Sequence, residues 1–157
     1  MILAIDPGPT ESAWVLLYGN AVLAWAKEPN ERVLAMLQND NIKAVRHPLV
    51  IEEIASYGMP VGREVFQTVR LAGRFEQVFA GGPVHYLPRL AVKLYLCHSA
   101  RAKDGNVRQA LIDRWGGKMA ALGTKKAPGP LYGISGDGWA ALAVAVTFTA
   151  TQTETSV

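Results

Sequence analysis

The chain opens on four apolar residues, Ile2-Leu3-Ala4-Ile5, that run into a carboxylate, Asp6, and then into Pro7-Gly8. Such a run predicts a short buried strand. It must stop there, because proline brings no N–H to a ladder and glycine permits a turn. Residues 12–18 and 21–26 are apolar and partly β-branched, and flank the dipeptide Gly19-Asn20. This is a hairpin signal, so the first three strands are expected as an antiparallel meander. Glu28-Pro29-Asn30 opens a helix with Val33, Leu34 and Leu37 on one face, and Asn39-Asp40-Asn41 ends it. Residues 48–53 predict the next strand, apolar until it meets Glu52 and Glu53. A strand reached through a helical crossover is expected parallel to the first, which brings Glu52 or Glu53 near Asp6.

The pattern then turns helical. A loop over 57–62 with two glycines and a proline leads into residues 63–79, where Val65, Phe66, Val69, Leu71, Ala72, Phe75 and Phe79 form an apolar face. That face is also the candidate for self-association. Tyr57 and Phe66 are the aromatics to consider for stacking on an unpaired base, although Phe66 on this face is expected to pack. Residues 84–87 predict a strand, and 89–98 and 103–115 predict helices. A loop rich in Lys, Pro and Gly covers 124–132. Asp137 then heads a segment, 139–148, that is apolar all round and therefore buried. Residues 1–150 are expected as a single domain and 151–157 as a flexible polar tail.

Half of the 157 residues are apolar, enough for one sizeable core. No apolar run is long enough to span a bilayer, and the start lacks the pattern of a signal peptide. The single cysteine, Cys97, excludes an intrachain disulfide and fits a reducing, cytoplasmic setting. Net charge is only +3, but it is uneven. From Arg89 to Lys126 there are nine Lys or Arg against Asp104 and Asp113. A polyanion partner would use such a basic surface; a solvated face without a partner would look the same.

Asp6, Glu52 and Asp137 each stand where an apolar element ends or begins. Asp137 also reads as a simple N-cap. Carboxylates converging at one sheet edge repel each other unless a cation neutralises them. Oxygen-only donors suit Mg²⁺ or Mn²⁺, which activate water and stabilise the leaving oxygen in phosphodiester cleavage. A neighbouring basic surface would hold a nucleic-acid backbone through its phosphates.

Four stretches, Ala4-Ile5-Asp6-Pro7-Gly8, Val50-Ile51-Glu52-Glu53, Val92-Lys93 and Asp137 through Ala145, occur in an order that resembles the RuvC-like Holliday junction resolvases, most of all the short phage-type versions. The resemblance implies a ribonuclease H-like α/β fold: a mixed five-stranded sheet, with a three-strand antiparallel meander plus parallel strands, flanked by helices. It implies a Mg²⁺-dependent (or Mn²⁺-dependent) endonuclease acting on branched DNA as a homodimer, in the host cytoplasm if phage-encoded. Asp6 matches the first catalytic acid, Glu52 the second and Asp137 the first acid of the last helix. Strand alternation points Glu53 to the other face. Lys93 matches a basic residue that approaches the scissile phosphate. Ala140 stands where the family usually has a further Asp, leaving three carboxylates for four. The pool for backbone contacts is Arg89, Lys93, Arg101, Lys103, Arg108, Lys125 and Lys126.

Rivals are a broader flap or fork nuclease and a non-catalytic junction-binding protein. Asp6 through Thr10 also resembles the first phosphate loop of actin-like ATPases. The length leaves no room for their second nucleotide-binding half, and no GxxxxGK[ST] loop occurs, so no nucleotide cofactor is expected. His85, His98 and Cys97 lack partners at ligand spacing and are expected to be structural or solvent-facing. Trp14, Trp25, Trp115 and Trp139 are candidates for the core.

Overall fold

A computed structural model describes residues 1–44 and 46–155. The strands are β1 (Ile2–Asp6), β2 (Glu11–Tyr18), β3 (Ala21–Pro29), β4 (Leu49–Glu53) and β5 (Val84–Pro88). They form one sheet in the order β3-β2-β1-β4-β5. β1, β2 and β3 are the antiparallel meander, whereas β4 lies parallel to β1 and β5 parallel to β4. The helices are α1 (Asn30–Gln38), α2 (Asp40–Ala44), α3 (Arg63–Val78), α4 (Arg89–Cys97), α5 (Asp104–Arg114), α6 (Lys118–Ala121) and α7 (Gly138–Thr155). The four-residue α6 and five-residue α2 are too short to leave a periodic signal.

β1 is central and covered on both faces, which is why it is apolar at every position up to Asp6. Its side chains alternate between two cores. Leu3 and Ile5 join Leu49 and Ile51 against α1 and α3, with Val33, Leu37, Leu71 and Phe75. Ala4 and Val50 face the other way, into Leu111, Leu142, Val144 and Phe148 from α5 and α7. α7 carries no charged residue in its buried stretch because it is enclosed between the sheet and α4 and α5.

Two expectations need correction. The last helix does not stop with the apolar stretch at Phe148 or give way to a flexible tail at residue 151: it continues to Thr155. Its hydroxyls bond back to the helix, Thr149 Oγ1 to the Ala145 carbonyl at 2.8 Å and Thr151 Oγ1 to that of Phe148 at 2.9 Å. Residues 156 and 157 of the expected tail lie outside the described residues. On α3, Thr68, Leu71, Ala72 and Phe75 are buried, but Phe66 is 58% and Val69 49% exposed. At 100° per residue Phe66 stands nearly opposite the Thr68–Phe75 stripe, so it does not pack in the core.

His85 is half-buried with its ring 4.8 Å from that of Phe148, and His98 is the exposed left-handed cap of α4. Trp139 is buried, while Trp14, Trp25 and Trp115 are only half-buried.

Candidate metal and nucleic-acid site

β1 and β4 run side by side with Ile5 opposite Ile51. The next residue on each is a carboxylate, Asp6 and Glu52, so both leave the same edge of the sheet. They continue the rows of Ala4 and Val50, on the face covered by α7. Glu52 is buried and Glu53 exposed, as alternation requires. Asp137 immediately precedes α7, and its carbonyl accepts the first helical hydrogen bond from Ala141 N. Asp6, Glu52 and Asp137 line one cavity together with Arg89, Lys93 and Asp104, beside the apolar Val92, Val107, Ala140 and Ala143.

The turn after Asp6 is fixed by a buried polar network. Gly8 N donates to Ser12 Oγ at 3.2 Å, Ser12 Oγ donates to Asn30 Oδ1 at 2.7 Å, and Asn30 Nδ2 donates to the Gly8 carbonyl at 3.0 Å. A Cβ on Gly8 would lie 2.3 Å from the Glu11 carbonyl oxygen, so only glycine fits. Beside Asp137, a Cβ on Gly138 would meet the Trp25 ring at 2.7 Å. Glycine there lets the start of α7 approach β3.

The acids differ in their surroundings. Burial, then repulsion from Glu52 and Asp137, pushes the Asp6 carboxyl up to about 7. Burial also lifts Glu52, with Arg89 opposing it. Arg89 Nη1 donates to Glu52 Oε1 at 3.0 Å and Nη2 donates to Asp104 Oδ1 in a short contact. Burial disfavours the guanidinium, but these two carboxylates outweigh it and hold it protonated. The Asp137 carboxylate is about half-exposed and pairs with Lys27 Nζ at 2.8 Å, which raises the lysine. Its side chain is therefore directed to Lys27, even though its backbone opens the helix.

Among the described residues, no three His, Cys, Asp or Glu side chains stand at ion-ligating spacing. Glu52 and Asp137 are each turned onto a cation of the chain. The donors nonetheless fit Mg²⁺ or Mn²⁺ in kind: Asp6, Glu52, Asp104 and Asp137 share one cavity, and repulsion from Glu52 and Asp137 adds to the burial that raises Asp6.

Of the predicted basic residues, Lys93 lines the cavity half-buried, and Arg89 is bound by acids rather than free for phosphate. Arg108 is exposed on α5 with its guanidinium 5.2 Å over the Trp139 ring. Arg101 and Lys103 are exposed between α4 and α5, and Lys125 and Lys126 on the loop closed by the Gly123–Pro128 bridge. Sequence reasoning missed Lys27, Ser12 and Asn30, and saw Asp104 only as an acid among bases. Each acts on a partner distant in sequence, so no local pattern marks it.

No family model matches the chain, and no curated protein matches it. Solved structures do. RuvC of Thermus thermophilus aligns with a TM-score of 0.61 at 21% identity, over 96% of this chain and 95% of that one. The same protein in complex with a Holliday junction substrate aligns with a TM-score of 0.60 at 21% identity, over 94% and 92%. The chain has the RuvC fold. The expected mixed five-stranded sheet is thus the observed one, and in this RuvC fold the three acids occupy the edge where the parallel strands β1 and β4 end.

Proposed function

We propose that the chain is a metal-dependent, structure-selective endodeoxyribonuclease that resolves Holliday junctions and related branched DNA by phosphodiester hydrolysis. The observation that carries this reading is the convergence of Asp6, Glu52 and Asp137 with Lys93 in one cavity of a RuvC fold. The complex of T. thermophilus RuvC with its junction substrate supports the substrate class. Asp6, Glu52 and Asp137 would hold Mg²⁺ or Mn²⁺, which when bound supplies an activated water and a partner for the leaving oxygen. Lys93 brings positive charge to the phosphate. Arg101, Lys103, Arg108, Lys125 and Lys126 contact the backbone. Residues 1–150 act as one nuclease domain, in the cytoplasm. A homodimer forms through the outer stripe of α3, where Phe66 and Val69 are exposed and Val69 lines a pocket with the exposed Tyr86 of β5.

The test is cleavage of labelled four-way junction, flap and linear duplex with Mg²⁺, Mn²⁺ or chelator. Paired cuts in the junction are expected, with Asp6→Asn reducing the rate by about a hundredfold or more while binding persists. Equal cutting of flaps would move the reading to a general branch nuclease. A second reading, a junction-binding protein without activity, is favoured by two observations: Ala140 lies in the cavity where an acid is usual, and Glu52 and Asp137, two of the three candidate ligands, are ion-paired. Tight junction binding with no cutting in either metal would establish it.

A further inference from the structure

The two ion pairs of the cavity share one design. Arg89 binds the inner acid Glu52 through Nη1 and the outer acid Asp104 through Nη2. Lys27 binds the inner acid Asp137 at 2.8 Å and has the outer acid Glu11 at 3.9 Å. In both, an inner carboxylate and an outer one contend for a single cation. The inner Glu52 side chain is 6% exposed and the outer Asp104 81%. Asp104 lies in the first turn of α5, where the helix favours negative charge.

A half-buried guanidinium that loses its only partner is left uncompensated, which is costly. Arg89 has two partners, and its planar fork addresses each with a separate nitrogen. It can therefore release Glu52 and remain paired. We propose that Arg89 is the resident cation of this site and that Asp104 is a positioning residue, which keeps Arg89 when Glu52 turns to a divalent cation. The proposal rests on the metal-dependent reading above. Lys27 and Glu11 do the same for Asp137, more weakly, because both ends of that pair are about half-exposed and screened.

A competing role for Asp104 is direct ligation, in place of the acid missing at Ala140. The two roles separate in a double-mutant cycle. If Asp104 acts through Arg89, its loss matters only while Arg89 is present. If it ligates, its loss matters in either background.

The experiment is Mn²⁺ binding to the DNA-free protein, read from the electron paramagnetic resonance of free Mn²⁺, with melting curves to verify folding. Arg89→Gln should tighten binding about tenfold, because it removes the competing cation. Asp104→Asn should weaken it about tenfold in the wild-type background and less than about twofold in Arg89→Gln. Asp104→Glu should restore most of the affinity, and Glu11→Gln should have a smaller effect than Asp104→Asn. Equal weakening by Asp104→Asn in both backgrounds would overturn the proposal in favour of ligation. So would Arg89→Gln failing to tighten binding in a folded protein, or no Mn²⁺ binding by any variant. Junction cleavage is scored separately: the expected cycle without cleavage supports this inference and removes the nuclease reading.

Discussion

Asp6 bears more electrostatic load than its place at a strand end suggests. Its carboxyl stands at about 7, against an ordinary 3.8, because it is buried and faces Glu52 and Asp137. Between those values the folded chain keeps a proton that the unfolded chain has lost. Stability from this residue is therefore present below about pH 4 and is lost as pH rises through about 7. In metal-free protein at pH 8, Asp6→Asn should stabilise the fold by about 2 kcal/mol, or roughly 4–8 °C in Tm. At pH 4 the two proteins should melt together. Added Mg²⁺ should raise the Tm of the wild type at pH 8 and leave Asp6→Asn nearly unchanged, since the ion relieves a repulsion that the variant lacks. Melting curves at both pH values, with Mg²⁺ and with chelator, check this; parallel curves for the two proteins would show that Asp6 carries no such load.

At the scale of elements, the site depends on how β1 hands over to β2. Ser12 and Asn30 close the Gly8 turn from the starts of β2 and α1, and both side chains are buried. Asn30→Ala would leave the Ser12 hydroxyl without its acceptor and the Gly8 carbonyl without its donor. The expected cost is about 2 kcal/mol, with Ser12→Ala plus Asn30→Ala costing less than the sum of the two. Urea denaturation of the three variants measures it. None of this was legible in the sequence, where Asn30 reads only as a helix opener. What was legible follows from periodicity. Alternation along β4 separates Glu52 from Glu53, and the unbroken apolar run of β1 marks a strand buried on both faces. The apolar residues of α3 misled, because Val65, Phe66 and Val69 extend its apolar arc beyond the stripe that the core takes. The polar end of α7 misled because threonine hydroxyls can bond back into a helix as readily as they favour its end.

For the whole molecule, the question is which of its positive charges a DNA backbone would meet. Between residues 89 and 126 the sequence shows nine basic side chains against two acids, but the fold divides them. Arg89 is already paired with Glu52 and Asp104, so it neutralises no phosphate and displaces no counterion from the DNA. Lys125 and Lys126 are exposed on their loop and make no salt bridge among the described residues, and Arg101, Lys103 and Arg108 are likewise exposed. Each free cation that contacts a phosphate adds about 0.9 to the slope of log affinity against log salt. Lys125→Gln with Lys126→Gln should thus flatten the slope for a four-way junction by about 2. Arg89→Gln should leave the slope within about 0.3 of wild type, even though its charge change is of the same kind. Fluorescence anisotropy between low and moderate salt, with chelator to prevent cutting, gives all three slopes. A slope lowered by Arg89→Gln as much as by a single loop lysine would mean that DNA draws Arg89 away from both acids. It would then be a phosphate contact, and Glu52 would be freed by the substrate itself.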